Sequence, residues 1–323
     1  MISIALCTFN GSKYLEKQLQ SIVDQSLMPD EIVIGDDCST DDTLDIINRF
    51  VNQYNTISWK ITQNDQRLGF CKNFLKTISF CHGDYIFLSD QDDIWHKDKI
   101  LLMIDSMKRN QNIDVMFSSY ECIDGENNRI DFKYRLTNSI IFNLKSRLFK
   151  IVKYDYKSFF KSMNIAGMSV CIKKEFVDNF LALSIDGISY HDTFLCFFAS
   201  LVDSLYYYND VLVKYRMHEN NKIGLNNVKK IVVDRIDWIK DDIIVQKELL
   251  NFAKNNDLDS KKIDYCNQVV LSNNERCQLL ESSDLFAVIK LINNIKYYKG
   301  IISYIGDIAY ILRNKRNKHE MYN

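Results

Sequence analysis

Proline is almost missing from this chain: Pro29 is the single one in 323 residues. Element ends must therefore be marked by Gly, Asn, Asp and Ser, which form turns through permissive backbones or short polar side chains. Paired cysteines are missing too. The nine thiols show neither a Cys-x-x-Cys nor a zinc spacing, and an odd, scattered set reads as reduced and cytoplasmic. No window approaches the roughly 20 continuous apolar residues of a membrane-spanning helix. Residues 1–7 are apolar, but the run is of strand length and has no basic n-region or cleavage site, so no secretory leader is expected. Charge of one sign is lacking as well: the net charge is −1 and no long block of like charge occurs, which argues against nucleic acid as a partner. There is no internal repeat.

What is present is a chain with 46% hydrophobic residues, enough for a large core in one or two domains. Its first half alternates strand and helix. Ile2–Cys7 is an apolar strand, broken by Asn10-Gly11-Ser12 and followed by Tyr14, Leu15, Leu19, Ile22 and Val23 at helical spacing. Further strands are expected at Glu31–Gly35, Ile57–Thr62, Tyr85–Leu88 and Val115–Tyr120. Helices are expected after Ser39 as N-cap, over Gly69–Cys81, and from about Lys97 to Asn110. Such alternation specifies an α/β fold with a parallel sheet covered on both faces. The middle third is more mixed. It holds an expected strand at Asn164–Ile172, a helix at Asp192–Leu201, and strands Ser204–Tyr208 and Val211–Tyr215 around an Asn-Asp turn. Long amphipathic helices follow, over Val228–Asn255 and Lys262–Leu280, with a tail, Phe286–Arg316, that mixes Ile and Tyr with Lys and Arg.

Three loops stand at strand ends on what would be one edge of the sheet. Ser89-Asp90-Gln91-Asp92-Asp93 follows the apolar run Tyr85–Leu88. Its three carboxylates repel one another unless a cation sits among them or solvent screens them. Mg²⁺ takes oxygen ligands and keeps positions open for phosphate oxygens, so the cluster points to a metal that grips a substrate diphosphate. Thr8-Phe9-Asn10-Gly11 and Asp36-Asp37-Cys38-Ser39-Thr40-Asp41 end the first two strands. At the carboxyl edge of a parallel sheet both would meet one ligand: a carboxylate there accepts from a base imide or ribose hydroxyl, and Phe9 offers a face for stacking. Alone, each is ordinary turn chemistry. An EF-hand is excluded, because Asp90–Asp93 lacks that loop's Gly and terminal Glu.

In order and spacing, Ile2-Ser3-Ile4-Ala5-Leu6-Cys7-Thr8-Phe9-Asn10, Ile32-Val33-Ile34-Gly35-Asp36-Asp37-Cys38-Ser39-Thr40-Asp41 and Gly83-Asp84-Tyr85-Ile86-Phe87-Leu88-Ser89-Asp90-Gln91-Asp92-Asp93-Ile94-Trp95 resemble family 2 glycosyltransferases with the GT-A fold. The form Ser-Asp-Gln-Asp-Asp-Ile-Trp resembles bacterial rhamnosyltransferase-like members that build O-antigen, capsule or cell-wall polysaccharide. The resemblance covers about residues 1–225, the expected catalytic domain; 226–323 would be a C-terminal helical extension.

By position, the resemblance implies that Asp37 contacts the nucleotide base with Thr8, Phe9 and Asn10 alongside. Asp90-Gln91-Asp92 would be the DxD motif, with Asp92 the principal ligand of Mg²⁺ or Mn²⁺ and Asp90 a sugar or ribose contact. Arg67 stands where the family has a donor-side loop, and Lys72 and Asn73 are weaker candidates. Trp95 would pack beneath the metal loop. Asp192, in His191-Asp192, would be the general base; the alternative is that it only N-caps its helix. Tyr215-Arg216-Met217-His218-Glu219-Asn220-Asn221-Lys222-Ile223-Gly224 resembles a family segment in which Arg216 and His218 complete the diphosphate or metal site.

These roles imply an inverting transfer of a sugar, rhamnose by family likeness, from a nucleotide diphosphate donor to a saccharide acceptor that is lipid-linked at the inner face of the cytoplasmic membrane. Two rivals stay open: a silent saccharide-binding scaffold of a polysaccharide assembly complex, and a sugar nucleotidyltransferase, whose Gly-rich phosphate loop is missing since only Gly11 follows strand one. For the C-terminal helices three readings stay open: covering the sheet, forming a homo-oligomer contact, or lying on the membrane as a peripheral anchor.

Overall fold

The computed structural model describes residues 1–131, 140–163, 165–185, 187–218, 235–282 and 285–321. The segment Glu219–Gly224, and Val228 at the start of an expected helix, lie outside them.

The chain opens with β1 (Ile2–Thr8), α1 (Ser12–Val23), β2 (Glu31–Asp36), α2 (Thr43–Gln53), β3 (Ser58–Gln63), α3 (Phe70–Ser79), β4 (Tyr85–Ser89), β5 (Ile94–Trp95) and α4 (Lys99–Arg109). Next come β6 (Val115–Ile123), β7 (Arg129–Ile130), α5 (Ile140–Leu148), β8 (Ile151–Lys153), α6 (Tyr156–Ser162), β9 (Val170–Lys173), α7 (Lys174–Leu181), α8 (His191–Leu201) and β10 (Leu205–Arg216). Four helices close the described chain: α9 (Arg235–Asn255), α10 (Ser260–Ser282), α11 (Leu285–Asn293) and α12 (Ile301–Met321).

The sheet runs β3-β2-β1-β4-β9-β6-β10-β5, with β7 beside β6 and β8 beside β10. β1 pairs in parallel with β2 and β4, β2 with β3, and β6 with β10. β9 is antiparallel to both β4 and β6. Six strands, β1–β4, β6 and β10, thus run one way, as the alternation requires; β9 in the middle and the short β5, β7 and β8 run against them. Every residue of β1 is buried, and its side chains alternate between two cores. Ile2, Ile4 and Leu6 face the core that α1, α2 and α4 cover. Ala5 and Cys7 face the other, where Phe74 of α3 and Phe194 and Phe197 of α8 gather. Leu249, Leu250 and Phe252 of α9 and Val269 and Val270 of α10 belong to that second core. The C-terminal helices therefore begin as part of the sheet's covering layer.

Three expectations change. α2 starts at Thr43 rather than after Ser39, because Ser39 donates to Asp36 through both its N–H (2.9 Å) and its hydroxyl. The strand expected at Asn164–Ile172 begins only at Val170, since Gly167–Ser169 is a 3₁₀ turn; Asn164 itself is outside the described residues. The two strands expected around Asn209-Asp210 are one strand, β10, which stays parallel to β6 on both sides of a bulge between Tyr208 and Val211. Asn209 holds that bulge in place: its N–H donates to the Lys150 carbonyl at 2.8 Å, and its amide accepts from the Tyr207 hydroxyl at 3.1 Å.

Candidate active site

The loops after β1 and β2 are tied to each other before anything else is bound. The Thr8 hydroxyl donates to Asp36 at 2.8 Å, and the Asp37 N–H donates to the Thr8 carbonyl at 2.8 Å. The Asn10 N–H donates to the Ser39 hydroxyl (2.9 Å), while its side-chain oxygen accepts from the Thr40 N–H (2.8 Å). The N–H groups of Gly11 and Ser12 donate to Thr43 and Asp41. Asn10 (φ 46°) and Cys38 (φ 68°) both have left-handed backbones. Asn tolerates that region; Cys does so at a cost, and such strain persists only where neighbours over-determine it.

The acidic loop joins them through Gln91. Its amide oxygen accepts from the Phe9 N–H at 2.9 Å and its NH₂ donates to the Phe9 carbonyl at 3.0 Å. Gly11 makes this approach possible, since a Cβ there would sit 2.1 Å from the Gln91 amide oxygen. Phe9 itself is half-buried, and the Arg67 guanidinium lies 3.8 Å above its ring.

Several residues expected on the ligand are thus occupied by protein. Thr8 is buried and bonded to Asp36. Asp37 is buried, and its carboxylate accepts from the N–H groups of Leu68 (2.7 Å) and Gly69 (2.8 Å) and from the Asn64 amide (3.0 Å). It shapes the loop that carries Arg67. Asn73 donates to the Gly35 carbonyl at 2.7 Å and accepts from Asn64, so it ties α3 to β2. Arg216 is fully buried. Its Nε donates to the Asp92 carbonyl (2.7 Å), its Nη1 to those of Asp124 (2.9 Å) and Gly125, and its guanidinium lies 4.6 Å above the Tyr14 ring. Arg216, expected at the diphosphate, thus has no exposed surface and holds the acidic loop from behind.

His218 differs from Arg216. Its Nε2 lies 2.8 Å from Asp92 Oδ2, with Tyr14 against its ring at 5.1 Å, and both partners keep some exposure. The two residues expected to share a metal are therefore adjacent. No group of three or more metal-ligating side chains forms among the described residues. One carboxylate suffices for Mg²⁺ where substrate phosphates supply the other oxygens, and a neutral imidazole is a common metal ligand, so Asp92 with His218 beside it fits.

Asp192 lies in the first turn of α8, whose N-cap is Tyr190. Tyr190, not Asp192, is thus the N-cap, while Asp192 still accepts from a first-turn N–H. One oxygen, Oδ1, accepts from the Thr193 N–H at 2.7 Å; the other, Oδ2, faces Gly167, where a Cβ would come within 3.2 Å. Its neighbour His191 is buried and stacks on Phe74 at 4.2 Å and 15°. Through that stack α3, which begins just after the Arg67 loop, packs on the helix that presents Asp192. Asp90 links the two halves of the site: burial first, then the charges of Asp92 and Asp192, push its carboxyl up to about 7.

Sequence reasoning missed the cation beneath this loop. Lys99 has no exposed surface. Its Nζ donates to the Met168 carbonyl at 2.6 Å and lies 3.5 Å over the Trp95 ring. Burial pushes the amine down to about 7, against the fields of Asp93 and Asp90. Asp93, also fully buried, accepts from the Arg216 N–H at 3.1 Å, and its Oδ2 has no hydrogen-bond partner among the described residues. A signal existed: position 99 shares the apolar stripe of α4 with Met103 and Met107, and a lysine on an apolar face is a buried cation. Trp95 packs as expected, 5.9 Å from Phe87.

Comparison with known proteins agrees with this geometry. Residues 3–174 match the family described as Glycosyl transferase family 2. A dTDP-rhamnosyl transferase (RfbG) of Shigella flexneri is 31% identical over 253 residues, 74% of this chain and 82% of that protein. A UDP-Glc:alpha-D-GlcNAc-diphosphoundecaprenol beta-1,3-glucosyltransferase (WfgD) of Escherichia coli is 28% identical over 144 residues, 44% of this chain and 54% of that one. Among solved structures, S. aureus TarS 1-349 in complex with UDP-GlcNAc superposes with a TM-score of 0.61 at 16% identity, covering 91% of this chain and 79% of that one, a likeness of fold. The chain belongs to glycosyl transferase family 2, as a transferase enzyme built on the GT-A fold.

Proposed function

We propose that this enzyme moves a sugar from a nucleotide diphosphate donor to a hydroxyl of a saccharide acceptor during cell-surface polysaccharide synthesis, with inversion at the anomeric carbon. The 31% identical rhamnosyl transferase supports dTDP-rhamnose as the donor. The diphosphoundecaprenol named for the 28% identical relative supports a lipid-linked acceptor. Catalysis is assigned to residues 1–225 and support to 226–323.

The observation that carries the reading is geometric: Gln91 of the acidic loop hydrogen-bonds Phe9 of the β1 loop, and Lys99 beneath that loop holds the Met168 carbonyl next to Gly167, which lies against Asp192 Oδ2. Phe9 and Arg67 border the nucleotide side, and Asp90 meets the sugar or ribose. Asp92 and His218 would hold Mg²⁺ or Mn²⁺, which would offset the charge of the departing nucleoside diphosphate. The acceptor oxygen attacks the anomeric carbon as the bond to the diphosphate breaks. Its proton passes to Oδ2 of Asp192, the oxygen not engaged by the Thr193 N–H. One base and direct displacement invert the centre, and no nucleophilic carboxylate is required.

Calorimetric titration of dTDP-rhamnose and other sugar nucleotides, with Mg²⁺, with Mn²⁺ and with EDTA, tests the donor half. Binding should require the metal, and Asp92→Ala should weaken it by more than the roughly tenfold that even an outer-shell change costs. Equal binding in EDTA, or by Asp92→Ala, would contradict the metal assignment.

A further inference from the structure

α12 is turned with its polar residues inward. Ser303 and Asp307 are buried together with Tyr304 and Ile311. Asp307 accepts from Arg235 Nε (2.5 Å) on α9 and from Arg276 Nε (2.6 Å) and Nη2 (2.9 Å) on α10. That lock fixes the helix's rotation. The opposite face, at i, i+4 and i+11 with one neighbour, carries Ile301, Ile305, Leu312 and Ile302, which are 52–58% exposed. α11, packed on α12, likewise exposes Ile289 (63%) and Ile292 (51%). A soluble surface seldom gathers so much aliphatic area without a partner. The burial of an aspartate while isoleucines face out reverses the usual amphipathic arrangement.

Charge selects the partner. Residues 286–323 contain seven Lys and Arg against two Asp and Glu, in a chain whose net charge is −1; one of the seven, Lys299, is paired with Asp242 of α9 at 2.7 Å. Lys290, Lys296 and Arg313 are exposed beside the stripe, while Asp307 is one of the two acids and is buried. A second copy related by a two-fold axis would bring this basic rim against itself. An anionic bilayer surface attracts it and receives the aliphatic side chains below the headgroups. No described helix is long and apolar enough to cross a membrane.

We propose that α11 and α12 form a docking face for an anionic bilayer, on which the enzyme lies rather than inserts. The face stands whichever sugar is transferred; the proposed lipid-linked acceptor gives it a purpose.

Flotation of the full chain with vesicles of phosphatidylcholine alone, and of phosphatidylcholine with phosphatidylglycerol, tests this beside the double variant Ile301→Asp/Ile305→Asp. The parent should float with the anionic vesicles and be released in part by salt. The double variant should partition at least about tenfold less, each isoleucine losing its transfer from water, while its melting temperature and sugar-nucleotide binding stay those of the parent. A parent that stays at the bottom with anionic vesicles, or a double variant that floats equally well, would overturn the proposal. So would a concentration-dependent dimer that the double variant loses, without flotation, since that assigns the face to a second copy. Flotation by a chain that transfers no sugar supports the face and counts only against the proposed reaction.

Discussion

Lys99 carries much of the burden at the level of single residues. Two carboxyls are pushed up chiefly by burial: Asp90 then by the charges of Asp92 and Asp192, and the fully buried Asp93 then by those of Asp92 and Asp90. Lys99 is the cation that opposes both shifts, and it bonds the Met168 carbonyl beside Gly167, the residue that faces Asp192. It therefore both compensates the acidic loop and ties that loop to the turn that faces Asp192. Lys99→Met keeps the length and removes the charge and the hydrogen bond. Losing one partner of a buried ionic group costs about 3–5 kcal/mol, so thermal unfolding should shift sharply downward, with weakened sugar-nucleotide binding. An unchanged melting temperature would show that the acidic loop needs no internal cation. The acids proposed for this site stand out in the sequence because Asp90, Asp92 and Asp192 come in a specific order along the chain. Lys99 was not, since an amphipathic helix rich in lysine gives no local sign of which lysine points inward until its stripe is traced.

Elements are held in register by polar contacts as well as by the two cores. Glu31, at the start of β2, accepts from the Ser3 hydroxyl on β1 (2.5 Å), and from the His82 N–H (2.9 Å) with the His82 ring at 2.8 Å, just before β4. His82 is half of this clasp. Burial raises the Glu31 carboxyl, but these hydrogen bonds outweigh it and leave the group below its usual value. A carboxyl depressed in the folded state adds stability above its unfolded pKa of about 4.3 and loses it as pH falls through the folded value. Glu31→Gln should thus destabilise by about 1–3 kcal/mol at neutral pH, and the gap to the parent should close below about pH 4. Melting curves across that range check it; a gap independent of pH would exclude the ionised clasp. Periodicity revealed strands β1 to β4 and helices α1, α3 and α4, where buried strands alternate with one-faced helices. It failed at β10. Asn209-Asp210 reads as a turn locally, yet pairing with β6 resumes beyond it and turns the dipeptide into a bulge. Two-residue strands such as β5 and β7 are too short to show any period.

At the scale of the molecule, the C-terminal helices divide their allegiance. α9 and α10 reach into the core beneath α8, where Phe252 meets Phe194 at 5.4 Å. α12 joins a separate cluster with Ile239, Cys277 and Leu280, closed by the buried Asp307 and its two arginines. Asp307→Asn would leave two guanidinium groups short of charge, at about 3–5 kcal/mol. The loss should be local: hydrogen exchange should quicken in α11 and α12 while sugar-nucleotide binding stays near the parent's. Uniform exchange throughout the chain would mean that this cluster has no separate stability.

The proposed catalysis depends on a single meeting, that of the acidic loop with the start of α8. Turnover by Asp192→Asn, measured beside its affinity for the sugar nucleotide in Mg²⁺, decides whether that meeting is the site of transfer. Transfer should fall by roughly 10²- to 10⁴-fold, the contribution of a general base, with donor affinity unchanged. Transfer at the parent's rate would contradict the assignment of Asp192.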